Sequence, residues 1–196
     1  MSFTTEYVKE KAAKIVIKSA QGDLSVEFPA FLTSFTNSFS SNWNEEQVYG
    51  RQDPIGTFQS TTRTINIGFD IVSFDIETAK ENMEKINTLT RMLYPSYSKS
   101  GNALVLSKAP LVTLRFGNLI QENDGALLGW IKSWSANPIL DMGMFTPSAK
   151  GDTTATGTFL PKVYNATLDF APQHRQDLAF NKGATGKPTK FPYDGG

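Results

Sequence analysis

Between Arg63 and Val72 the apolar residues fall on every second position: Ile65, Ile67, Phe69 and Ile71, with Thr64, Asn66, Gly68 and Asp70 between them. Period two puts the two sets on opposite faces of a strand. One face is built for burial and the other is small and polar, which suits an antiparallel sheet packed on one side. The period then changes. Ser73 and Asp75 offer N-cap oxygens, and Glu77 falls in a first turn where the helix dipole favours an acid. Ile76, Ala79, Met83, Ile86 and Leu93 follow at helical spacings, with Leu89 and Met92 widening the stripe. An amphipathic helix is expected over about residues 75–94, stopped by Pro95. Met83 and Met92 read as core filler.

The same periodicities place the other elements. Lys14–Ser19 and Leu24–Phe28 flank Gln21-Gly22-Asp23 and predict a β-hairpin. Phe31, Phe35, Phe39 and Trp43 are four apart, as on a helix, but the Ser, Thr and Asn between them are poor helix formers. A strand with Phe35, Asn37, Phe39, Ser41 and Trp43 on one face is the favoured reading. A turn-rich stretch from Tyr49 to Pro54 leads toward the Thr64–Val72 strand. Ser96–Ala109 reads as a loop with a short apolar piece. Leu111–Phe116 and Ala126–Ala136 read as a second hairpin, with Leu128, Trp130 and Trp134 alternating on one face. Thr146–Gly157 reads as a mobile loop. Thr158–Ala171 is the last strand: Tyr164, Ala166, Leu168 and Phe170 alternate with Asn165, Thr167 and Asp169, echoing Ile65–Ile71.

These elements define an α+β, β-rich class: an antiparallel β-sandwich or barrel with one main flanking helix. Residues 1–171 are expected to form one β-rich domain. Residues 172–196 form an extended C-terminal arm, whose Phe191-Pro192-Tyr193 is apolar enough to dock on something.

Composition narrows the function. Nineteen basic and nineteen acidic side chains give a net charge of +0, so no basic excess supports specific nucleic-acid binding. Near-neutral charge is compatible with packing into an assembly. With no cysteine, thiolate metal sites and Cys nucleophiles are excluded. The segment MSFTTEYVKEKAAK lacks a signal-peptide core, and no run approaches the roughly 18 apolar residues of a membrane span. The one histidine, His174, reads as an exposed tail residue; alone it builds neither a standard zinc site nor a serine triad without its nucleophile elbow. Glu45, Glu46, Asp53, Asp70 and Asp75 are carboxylates that the sequence cannot pair across a cleft. No cofactor and no enzymatic activity are expected.

The pieces VYGRQDPIGTFQSTTRTINIGFDI, ETAKENMEKINTLTRMLYPSY, APLVTLRFGNLI, LLGWIKSWSANPILDMGMF and PKVYNATLDFAPQH, between about Asn44 and His174, resemble a group of phage virion proteins. These are the baseplate hub or tail-tube-initiator proteins of tailed, contractile bacteriophages. The resemblance implies a tail-tube-like β-sandwich or barrel with one flanking helix. It also implies assembly into a ring, hexameric, whose inner sheets line the tail channel. Tail-tube and baseplate proteins would be the neighbours. The protein would reside in the virion after assembly in the host cytoplasm. Candidate subunit-interface residues are Arg51, Asp53, Arg63, Thr64, Asn66, Asp70, Phe191 and Tyr193. Arg51, Asp53 and Arg63 suit pairing between copies, although pairing within the chain fits them equally. The alternative is a carbohydrate- or cell-wall-binding module of the tail, using Phe35–Trp43 and the Trp130/Trp134 strand.

Overall fold

The computed structural model describes residues 14–29, 31–100, 103–121, 125–146, 158–174 and 192–193. Eleven strands and one α-helix are described. They are β1 (Lys14–Ser19), β2 (Ser25–Pro29), β3 (Phe31–Glu46), β4 (Ile55–Val72), α1 (Ile76–Met92), β5 (Ser96–Ser100), β6 (Ala103–Lys108), β7 (Val112–Phe116), β8 (Leu127–Pro138), β9 (Met144–Phe145), β10 (Leu160–Pro161) and β11 (Val163–Pro172). Seven form one antiparallel sheet in the order β2-β1-β7-β8-β11-β4-β3. The class is therefore α+β and β-rich, as the alternating patterns require.

The sheet is rolled. β2 and β4 lie five strand spacings apart in that order, about 24 Å in a flat sheet. Yet the Phe28 and Phe69 rings, one from each, are 5.6 Å apart, and Trp134 of β8 stacks at 6.3 Å and 6.2 Å on the same two rings. The inner faces of the two ends have closed on each other, the feature shared by sandwiches and barrels. Into the roll point Ile15 and Ile17 of β1, Val26 and Phe28 of β2, Ile65, Ile67, Phe69 and Ile71 of β4, and Ala166, Leu168 and Phe170 of β11, all buried. Each large side chain so removed from water contributes about 1.5–3 kcal/mol.

Helix α1 packs beside β2 and β10 and adds Leu89 and Met92 to the core. Its start follows the expected chemistry: the Asp75 carboxylate accepts the Thr78 N–H at 2.6 Å. This bond, to side chain and backbone of Thr78, holds the Asp75 carboxyl below its ordinary value. A depressed carboxylate pKa stabilises the fold above the unfolded value and loses that contribution as pH falls through the folded one. Asp75→Ala is accordingly expected to lower the melting temperature at neutral pH, the difference from the native chain closing as the pH drops below about 4; thermal melts across that range check it.

Ser73, the other expected cap, has a different role. It is buried, its N–H donates to the Lys162 carbonyl at 2.7 Å, and its Oγ accepts Asn82 Nδ2 at 3.0 Å. Asn82 also donates to the Val72 carbonyl at 3.3 Å. A polar residue thus faces inward from the helix and ties it to the end of β4. Asn82→Leu would leave those acceptors dry and is expected to cost about 1–3 kcal/mol in urea denaturation.

Two expectations are corrected. Ser96–Ala109 is not a loop: it contains β5 and β6, an antiparallel pair of its own. And β4 begins at Ile55, nine residues before the expected start, because it is matched along its length by β3. The expected mobile loop, Thr146–Gly157, lies outside the described residues except for Thr146.

Candidate interaction arm and polar face

β3 and β4 run together far past the body of the sheet. From Ser38 to Thr62 every residue is exposed, on both strands and both faces. Eight residues separate Arg63, the last buried residue of β4, from Ile55, so the two-stranded arm projects about 27 Å. Its turn holds Gly50 at φ 83°, a left-handed conformation that glycine adopts without a Cβ penalty. Tyr49 beside it is 105% exposed.

The arm keeps the two faces of the sheet distinct. Register pairs Phe35 with Ile67, Asn37 with Ile65, Phe39 with Arg63 and Ser41 with Thr61, extending the core face outward. A bulge between Asn42 and Trp43 then brings Trp43 opposite Phe58. Their rings meet edge-on at 5.3 Å, and Trp43 Nε1 donates to Ser41 Oγ at 2.9 Å. Phe39, Trp43 and Phe58 form an aromatic strip that continues the core but stands in solvent, Trp43 being 56% exposed. The expected face Phe35, Asn37, Phe39, Ser41, Trp43 is the observed one.

Arg63 sits where body becomes arm. It lies inside β4 and is only 7% exposed. Its Nε donates to Asn37 Oδ1 at 2.9 Å and its guanidinium carbon lies 5.3 Å from the Phe39 ring centroid, a cation–π distance. Asn37 Nδ2 in turn donates to the Tyr193 hydroxyl at 3.0 Å, although the two are 156 residues apart in sequence. Burial pushes the Arg63 guanidinium below its ordinary value, partly offset by the nearby Tyr193 hydroxyl.

The opposite face is small and polar over four strands. Across β4, β11 and β8 the rows read Asp70–Asn165–Asn137, Gly68–Thr167–Ser135 and Asn66–Asp169–Ser133. β3 extends it with Ser34, Thr36 and Ser38 opposite Gly68, Asn66 and Thr64. The rows are hydrogen-bonded sideways: Asn165 Nδ2 to Asp70 Oδ1 at 2.8 Å, Ser133 Oγ to Asp169 Oδ2 at 2.7 Å, and the Ser135 and Thr167 hydroxyls at 2.6 Å. No row carries a basic side chain, and the one large side chain is Phe31 of β3, opposite Asp70 at the inner edge. The surface is a smooth wall, held by its own bonds and weakly acidic. Gly68 admits the bulged Thr33–Ser34 of β3, since a Cβ there would collide with Ser34 Oγ.

The candidate interface residues therefore divide. Arg51 and Asp53 lie near the arm turn, Arg63 and Tyr193 at the arm base, and Thr64, Asn66 and Asp70 on the polar wall; Phe191 lies outside the described residues. Sequence reasoning missed Ser133, Ser135 and Asn137, whose alternation in β8 was masked by apolar neighbours. Trp130 and Trp134 do not share one face of β8 as expected. A shift of register beside Phe170 packs half-buried Trp134 against the core and leaves Trp130 exposed away from it. His174, expected exposed, is half-buried just past β11. Among the described residues no three His, Cys, Asp or Glu side chains are placed to hold a metal ion, and no helix is long and apolar enough to cross a membrane.

No family model matches the chain, and no curated protein matches its sequence. Among solved structures it is similar to a chain in the C6-symmetric tail of an empty GTA particle, at 12% identity and a TM-score of 0.36, covering 84% of this chain and 92% of that one. It is also similar to a chain in the 6-fold symmetrised baseplate of the anti-feeding prophage (AFP), at 6% identity and a TM-score of 0.33, covering 82% of this chain and 88% of that one.

Proposed function

We propose that this chain is a structural subunit of a phage tail, a ring-forming baseplate hub or tube initiator that joins the tail tube to the baseplate. The observation that carries this reading is the β3–β4 arm. An isolated two-stranded ribbon is marginal in water, and this one holds Phe39, Trp43 and Phe58 in solvent. Exposed aromatic strips of this kind are built to be covered by another chain. The resemblance of Asn44–His174 to tail-tube-initiator proteins supplies the partners: copies of this chain in a six-membered ring, with tail-tube and baseplate proteins above and below.

In that ring the polar wall of Thr64, Asn66 and Asp70, with its β11 and β8 rows, faces the channel. Small self-bonded side chains offer little for passing cargo to grip. Arg51, Asp53 and Tyr49 meet a neighbour at the arm turn, where Tyr and Arg are the residue types that dominate interface energies. The role is architectural, not enzymatic, and the place of action is the virion, after assembly in the host cytoplasm.

The test is electron microscopy of the assembled particle together with mass spectrometry of purified virions. A sixfold ring of this chain between tube and baseplate is expected. Absence of the chain from purified virions would overturn the reading, and glycan or cell-wall binding by a monomer would favour a carbohydrate-binding module in its place.

A further inference from the structure

The end of helix α1, the lead-in to β7 and the start of β8 meet around an open apolar cavity of about 340 Å³, lined by Leu93, Ala109, Pro110, Leu111, Trp130 and Ile131. Backbone bonds hold its shape: the Leu111 carbonyl accepts the Ala20 N–H at 2.9 Å, and the Leu111 N–H donates to the Ala109 carbonyl at 2.8 Å. Trp130 forms one side of it and is still 44% exposed. The surroundings are basic. Arg91 stands two residues before Leu93, Lys108 beside Ala109 and Lys132 beside Ile131, all three exposed. No acidic residue lies within two positions of any lining residue.

The tip of the β3–β4 arm has the opposite character. From Glu45 to Ile55 there are three acids, Glu45, Glu46 and Asp53, and one base, Arg51, a net charge of −2. Among them stand three exposed apolar side chains, Val48, Tyr49 and Ile55, with Tyr49 wholly in solvent. The arm carries this tip about 27 Å beyond the last buried residue of β4, away from the cavity of its own chain. One chain thus bears an acidic tip with an aromatic at its end and a basic-sided cavity at the scale of a small binding pocket.

We propose that the arm tip of one copy docks in this cavity of a second copy, with Tyr49 seated beside Trp130 and with Glu45, Glu46 and Asp53 set against Arg91, Lys108 and Lys132. This rests on the ring-subunit reading above and names the surface that the arm turn meets. Charge complementarity between the two patches selects the second copy as occupant. An aromatic anchor in an apolar pocket, with charges at the rim, is the usual division of labour in an interface. Tip and cavity are different patches, so the contact runs head to tail, the type from which rings are built.

The full-length chain with the substitution Tyr49→p-benzoylphenylalanine tests this directly. It is mixed with isotope-labelled native chain at rising concentration and irradiated, and the cross-linked peptides are mapped by mass spectrometry. Cross-links to Trp130 and its cavity neighbours on the labelled copy are expected. In sedimentation velocity E45K/E46K/D53K and R91E/K108E/K132E are each expected to associate about tenfold more weakly than the native chain, the scale of three exposed ion pairs. The chain carrying all six changes is expected to regain native association, and thermal melts establish that each variant is folded. The docking is overturned if no cross-link between copies reaches the cavity at any concentration, or if the folded sixfold variant stays as weak as the threefold ones. Either result beside a ring of this chain in virions leaves the ring reading standing. Absence of the chain from virions removes the ring reading and the docking with it.

Discussion

Replacing Phe69 with alanine is expected to remove about 3–5 kcal/mol of stability, the largest effect of any single truncation in the chain. Phe69 is fully buried and touches both ends of the rolled sheet, meeting Phe28 at 5.6 Å and Trp134 at 6.2 Å. Its loss opens a cavity at the point where β2 of one end is held against β4 of the other. Neither neighbour can fill that cavity without leaving the second. The loss is therefore expected toward the upper end of the range, since cost rises with how little a site collapses. Urea denaturation followed by fluorescence of the tryptophans reports it directly. A loss under about 1 kcal/mol, the scale of an ordinary surface change, would mean that Phe69 does not hold the roll closed.

Removing the outer aromatic pair is expected to do the reverse. The double substitution Trp43→Ser, Phe58→Ser touches a part of the arm that contributes nothing to the buried core, so global unfolding should shift by no more than about 0.5 kcal/mol. Local fraying of the arm is not global unfolding. Association should suffer heavily. Central interface aromatics are each worth about 2 kcal/mol or more, and two of them correspond to a loss on the order of 100-fold or greater. Sedimentation of the purified variant and its incorporation into particles measure this. Normal assembly by the folded variant would show that the aromatic strip is not an interface. The two variants thus separate what holds the chain together from what it offers to others.

How far these features were legible depends on how strictly each stretch kept its period. Ile65–Ile71 alternates without interruption, and the strand and its two faces followed from that alone. The helix was legible because stripe, cap and stop agreed: Asp75 before it and Pro95 after it bracket the observed Ile76–Met92. The outer half of β4 was not legible. Ile55-Gly56-Thr57-Phe58-Gln59-Ser60 has a bulge opposite Asn42–Trp43, and a bulge shifts the period in the middle of the pattern. Its strand character comes from pairing with β3, a tertiary fact that local composition does not carry. The same applies to Trp130 and Trp134, whose even spacing predicts one face until the register shift beside Phe170 divides them. Asn82 could not be found either, since nothing local separates a buried asparagine from a solvated one. Its reason, the carbonyl of Val72 and the hydroxyl of Ser73, appears only when helix and strand meet. At the candidate site, the aromatic face of β3 and the polar face of β4 were readable. The nearness of Tyr193 to Asn37 was not.

Because residues 38–62 are exposed on every side, the arm behaves as a ruler. Deleting one residue pair from each strand, Ser40–Ser41 with Thr61–Thr62, keeps every remaining side chain on its own face and shortens the reach by about 7 Å. Deleting a single residue from one strand would instead turn the aromatic strip over. The reach of the arm is thereby adjustable in fixed steps, without disturbing the fold that carries it.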